Sequence, residues 1–121
     1  MKKMGAVIKT DGTLERLDLS EQELSNLQSA VGGYVQAIDL SDTMTMWMNE
    51  EGKLTGLPYN GIATALWEAR FGVGTDIILG NAVFTGTPDE DGETTTIGEA
   101  DLQRLAELVD LVKSAKLGTV Q

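Results

Sequence analysis

The sequence predicts an α+β domain: a mixed or antiparallel sheet with about three helices packed on it, the last an amphipathic C-terminal helix. Three observations lead there. Short β-rich runs are bounded by glycine, asparagine and aspartate turn signals. Three other stretches carry apolar residues at helical spacing. These blocks alternate irregularly, with connections of mixed length, which disfavours a doubly wound parallel sheet. The 121 residues suit one domain over 1–121, able to bury roughly two-thirds of its unfolded surface.

The elements follow in order. Gly5 to Thr10 reads as a first strand, and Asp11-Gly12 as a turn that returns it into a short strand over Leu14–Leu19. Ser20-Glu21-Gln22-Glu23 has the spacing of a capping box. Leu24, Leu27 and Val31 then share one helical face, and Gly32-Gly33 ends that helix. Tyr34–Leu40 and Thr43–Asn49 read as strands, the second strictly alternating. Gly52 is expected at a turn position needing φ > 0, with Leu54–Pro58 a short return or loop. Asn60 caps a helix to about Arg70, built on Ile62, Ala63, Leu66 and Ala69 and stopped by Gly72. Asp76–Gly86 is β-rich, two strands bent at Gly80-Asn81. Thr96-Ile97-Gly98-Glu99 is a second capping box. It opens a helix over about 97–117 with Leu102, Leu105, Ala106, Val109 and Val112 on one face. Lys113 and Lys116 complement its dipole, and Gly118 ends it.

Composition excludes much chemistry. There is no histidine and no cysteine, so Ser-His and Cys-His nucleophile pairs, disulfides and sites needing imidazole or thiolate ligands are ruled out. No metal ligand set and no cofactor is expected, and no catalytic constellation can be assembled. A carboxylate, lysine or tyrosine mechanism is what remains for an enzyme, and the expectation is that the protein is not one. The formal charge of -10 opposes direct binding to nucleic-acid backbones. The acids are spread evenly, nine in residues 1–60 and ten in 61–121, as suits solubility. The apolar part of the N-terminus is too short for a signal peptide, and no stretch approaches a membrane span.

Three motifs fail specific tests. With Gly92 as the sixth residue of a calcium loop, the twelfth position falls on Gly98 rather than a glutamate, so Asp89–Glu93 reads as a solvated turn. Met44, Met46 and Met48 lie on one strand face, as copper-binding thioethers would, but core filling explains them without cysteine or histidine to assist. Gly72-Val73-Gly74 lacks the third glycine of a dinucleotide fingerprint and follows a helix instead of opening one. Among the aromatics, Tyr59, beside Pro58 and Asn60 in a loop, is expected to be exposed with Asn60, and Arg70 is the nearest cation.

Two segments carry a resemblance. Leu27 to Ala37, with Val31-Gly32-Gly33-Tyr34 at its centre, and Asn49 to Asn60, reading NEEGKLTGLPYN, stand in the order found in domain-of-unknown-function family 3846. Asp76 to Val83 is similar to a third segment of that family. The resemblance spans about residues 5–90, and the C-terminal helix looks like an addition to shorter members. It implies a phage, prophage or mobile-element protein made in a bacterial cytoplasm, and it carries no catalytic residues. Most of the signature reads as fold: glycines at turns, proline and asparagine launching a helix. Tyr34, Glu50, Tyr59 and Asn60 are less fully explained that way. With Arg70 they form the candidate ligand or partner surface.

The leading expectation is therefore a non-enzymatic accessory protein that binds and modulates a bacterial host protein, counter-defence being one such use. Alternatives are a binder of a small molecule or nucleotide signal, with Arg16, Lys53 and Arg70 the available cations, and an acidic mimic of nucleic acid. A homodimer through the C-terminal helix or the methionine strand is compatible with the pattern.

Overall fold

A computed structural model describes the backbone of residues 2–118 and the side chains of 2–115. The elements in chain order are β1 (Met4–Ile8), β2 (Leu14–Asp18), α1 (Glu23–Val31), β3 (Val35–Asp39), β4 (Thr45–Asn49), α2 (Gly52–Thr55), α3 (Gly61–Phe71), β5 (Ala82–Thr85) and α4 (Glu99–Gly118). The five strands form one sheet in the order β2-β1-β5-β4-β3. Every pairing is antiparallel, so the sheet is not mixed.

Strand alternation distributes the core over two faces. On one face Ala6, Ile8, Met46, Met48, Ala82 and Phe84 pack with Ile62 and Ala63 of α3 and with Leu105 and Val109 of α4. On the other, Val7 and Val83 pack with Leu27 and Val31 of α1. β5 is buried at every position, because it lies at the centre of the sheet with apolar residues on both sides. The three methionines are core residues on the face that meets α3 and α4. Trp47 points the opposite way, and its indole N–H donates to Thr85 Oγ1 at 2.9 Å. Asn60 caps α3 as the sequence predicts, accepting from the Ala63 amide at 3.0 Å.

Several expectations are corrected. Neither capping box forms. The α1 N-cap is Gln22 in a left-handed conformation (φ 53), with no side-chain cap. Ser20 Oγ accepts from the Lys3 amide at 2.7 Å instead, and Glu23 pairs with Lys3 Nζ at 2.8 Å. Thr96 Oγ1 likewise accepts from the Met4 amide at 3.1 Å, and α4 begins only at Glu99. In both cases a hydroxyl close in sequence to a helix start is held by the first residues of the chain. Leu24 lies outside the α1 contact and is exposed, as is Ala69 on α3. Asp76–Gly86 contributes one ladder strand, β5, and an isolated bridge from Leu79 to Tyr59.

Gly52 is not a positive-φ turn residue. It opens the short helix α2, a fourth helix where a return or loop is expected. Its role is close approach: a Cβ there would stand 3.1 Å from the Leu79 carbonyl oxygen. The positive-φ glycine of this segment is Gly56, at the α2 C-cap (φ 67). The side chain of Lys116 and the chain beyond Gly118, where the helix end is expected, lie outside the described residues.

Candidate functional site

Three asparagines bind the connecting segments together. Asn60 is buried, and its amide donates to the carbonyls of Ile8 and Gly80, both at 3.0 Å, while its Oδ1 caps α3. Asn49 donates to Val31 O at 3.2 Å and accepts from the Glu51 amide at 2.7 Å. This joins the end of α1 to the start of α2. A Cβ at Gly33 would lie 2.9 Å from Asn49 Nδ2, so glycine is what allows that approach. Asn81 accepts from the Thr10 amide at 3.1 Å and donates to Ala30 O at 3.2 Å. The three resembling segments are thus neighbours in space, tied by buried or half-buried amides whose polar groups are satisfied.

The structure separates the five sequence-predicted site residues. Tyr34 is exposed at the start of β3, and its carbonyl accepts from the Glu50 amide at 2.9 Å. These two belong together. Tyr59 is exposed and borders a different groove, of about 390 Å³, with Lys9, Ile62, Leu108 and Val112. Asn60 also borders that groove, but it is 1% exposed. The expectation of an exposed Asn60 is corrected, because its amide is committed to two carbonyls and a cap. Arg70 is at the other end of α3, about 15 Å along the helix from Asn60. Its guanidinium lies 5.0 Å from the ring centre of Phe71.

Beside Tyr34 and Glu50 the sequence reading missed the residues that complete a surface. A cleft of about 110 Å³ opens next to Gln36 of β3. Met48, Leu54 and Ile77 give it apolar walls, and Glu50, Glu51 and Asp76 give it carboxylates. Leu54 is 86% exposed and Ile77 48%, although both are large and apolar. One signal was available: Leu54 stands in a polar loop with no periodic partner, so no core face claims it.

The rim carries three carboxylates and one cation, Lys53. Lys53 hydrogen-bonds Asp76, and that ammonium, opposed by partial burial and assisted by the Ile77 amide, holds the Asp76 carboxyl below the usual carboxylate range. Neither Glu50 nor Glu51 is in an ion pair among the described residues. The acidic loop turns inward on itself: Asp89 Oδ1 accepts from the amides of Asp91 and Glu93 at 2.9 and 3.0 Å. Among the described residues no three acidic side chains gather as a metal-binding group. No helix among them is long and apolar enough to cross a membrane.

An antiparallel five-stranded α+β sheet, with glycines and asparagines at interlocked turns, is the class of protein that this architecture defines. The chain belongs to the family Domain of unknown function (DUF3846), whose sequence model matches residues 1–110. The match is longer than the 5–90 stretch that carries the resemblance, and it extends into α4 through residue 110. No curated protein and no solved structure matches the chain.

Proposed function

We propose that the protein is a non-enzymatic binding protein of phage or mobile-element origin that acts by engaging a bacterial host protein in the cytoplasm. The observation that carries this reading is the cleft lined by Glu50, Leu54 and Ile77, with the exposed Tyr34 bonded to Glu50 through its carbonyl. Large apolar side chains left exposed beside unpaired carboxylates have the composition of a recognition patch rather than of an ordinary solvated face. The partner that fits it presents apolar anchors flanked by lysine or arginine. Nucleic-acid mimicry would use the same carboxylates with little demand on Leu54. The test is affinity capture from host lysate at low salt with the native protein and with Leu54→Lys. A partner retained by the native chain and lost from the variant supports the reading. A capture profile unchanged by the variant contradicts it.

A second reading, a small-molecule binder, rests on the groove at Tyr59, which offers one aromatic ring, apolar walls and one cation. Lys9 is already paired with Glu15 at 2.9 Å, which weakens its hold on an anionic ligand. A thermal-shift screen with nucleotides decides this reading: a ligand that binds the folded state raises the midpoint, and a flat response across the set removes it.

A further inference from the structure

We infer that the free edge of β3 receives an extended segment of the partner as an added antiparallel or parallel strand, with apolar side chains turned to the cleft and basic ones where the segment passes Glu50 and Glu51. The inference rests on the binding-protein reading and names how the partner is held. β3 is one of the two edge strands. Its register to β4 is Val35↔Asn49, Ala37↔Trp47 and Asp39↔Thr45. The flanking bonds, Glu50 N–H to Tyr34 O and Leu40 N–H to Met44 O, both at 2.9 Å, fix which residues face β4. By the alternation of an antiparallel ladder, Tyr34, Gln36, Ile38 and Leu40 bond inward, and Val35, Ala37 and Asp39 turn their N–H and C=O groups to the open side.

That edge lacks the usual protection. The sequence Val35-Gln36-Ala37-Ile38-Asp39 has no proline, no lysine and no positive-φ residue, and Gln36 and Ala37 are exposed. The opposite edge, β2, reads Leu14-Glu15-Arg16-Leu17-Asp18 and carries charges of both signs, the ordinary device against pairing. The cleft walled by Leu54 and Ile77 opens beside Gln36. An added strand therefore places every second side chain on the side of the sheet where an apolar wall is available. The carboxylates of Glu50 and Glu51 stand at that cleft and Asp39 at the far end of the strand. Lys53, the cation there, is already bonded to Asp76. Charge complementarity thus selects a basic segment. It also disfavours a second copy of this chain, which would bring another charge of -10 to the same edge.

The experiment uses the full chain and a peptide of about seven residues, valine-rich with lysines at both ends, the length of an ordinary strand. Amide hydrogen exchange is followed residue by residue with and without the peptide at low salt. The expected result is slowing by about tenfold or more at Val35, Ala37 and Asp39, the amides a new strand would cover. Gln36 and Ile38, already bonded inward, should change little. Ala37→Pro removes the central outward donor at a position where an edge strand accepts proline, and should weaken binding by about tenfold or more. The same peptide N-methylated at alternate amides should lose binding to the native chain, and this control needs no variant to fold. Three results overturn the inference. The first is no protection of these amides at millimolar peptide. The second is binding that survives both Ala37→Pro and N-methylation; if Leu54→Lys then abolishes it, the binding-protein reading stands and the edge does not. The third is protection that appears without peptide and grows with protein concentration, which assigns the edge to self-association.

Discussion

At the scale of single residues, the buried side chain of Asn60 holds the most. It bonds the Ala63 amide and the carbonyls of Ile8 and Gly80, joining three segments through one side chain. Asn60→Ala removes the cap and two further buried hydrogen bonds, so unfolding in urea should show a loss of about 2–4 kcal/mol. Its cap role is legible in the sequence, because cap and helix are adjacent. Its bonds to Ile8 and Gly80 are not, because those residues are 52 and 20 positions away. The same limit explains the two capping boxes that do not form. Ser20 and Thr96 have the right spacing to Glu23 and Glu99, but the amides of Lys3 and Met4 reach their hydroxyls first. The Lys53–Asp76 pair gives a pH prediction. The depressed Asp76 carboxyl contributes stability that is present above the usual carboxylate pKa and is lost as pH falls through its lowered value. In Lys53→Met, the Asp76 carboxyl should titrate at a higher pH than in the native chain, as followed by carboxyl chemical shift. An unchanged titration would mean that the ammonium is not the cause of the shift.

At the scale of elements, β5 and α4 decide the fold. β5 is legible only as part of the β-rich stretch Asp76–Gly86; its place between β1 and β4 depends on pairings distant in sequence. The Leu105 and Val109 stripe of α4 is legible from a 3.6-residue period over three turns. Leu105 is 1% exposed in the core, so Leu105→Ala should destabilise the protein by about 2–4 kcal/mol in chemical unfolding. A change below about 0.5 kcal/mol would show that α4 is not part of the cooperative core. α2 was not legible: four residues carry no periodicity, and its glycine resembles a turn signal. What sets Gly52 is the Leu79 carbonyl, a tertiary neighbour. The same blind spot hid half the candidate surface. Tyr34 and Glu50 could be picked out from their segments, but Leu54 and Ile77 join them only once α2 and the chain before β5 have folded against β4.

At the scale of the whole molecule, the charge of -10 speaks to solubility and to encounter with cationic groups in general. The fold brings Glu50 and Glu51, in no ion pair among the described residues, to an apolar cleft at one sheet edge, while Lys3, Lys9 and Arg104 neutralise acids elsewhere; this cleft is where the proposed association would occur. Association through this surface should weaken several-fold between about 50 and 300 mM salt, chiefly through a slower on-rate. Stopped-flow or surface-based kinetics with the captured partner would show it, and salt-independent binding would argue for a purely apolar contact. The most direct test of the binding-protein account is site-specific photo-cross-linking in a bacterial host. The cross-linking residue is placed at Gln36, at Leu54 and, as the reference, at the exposed Gln103 of α4. The account predicts adducts to one and the same host protein from Gln36 and Leu54, none from Gln103, and their loss when Glu50 and Glu51 are both replaced by lysine. No adduct from Gln36 and Leu54, or the same adducts from all three positions, would contradict it.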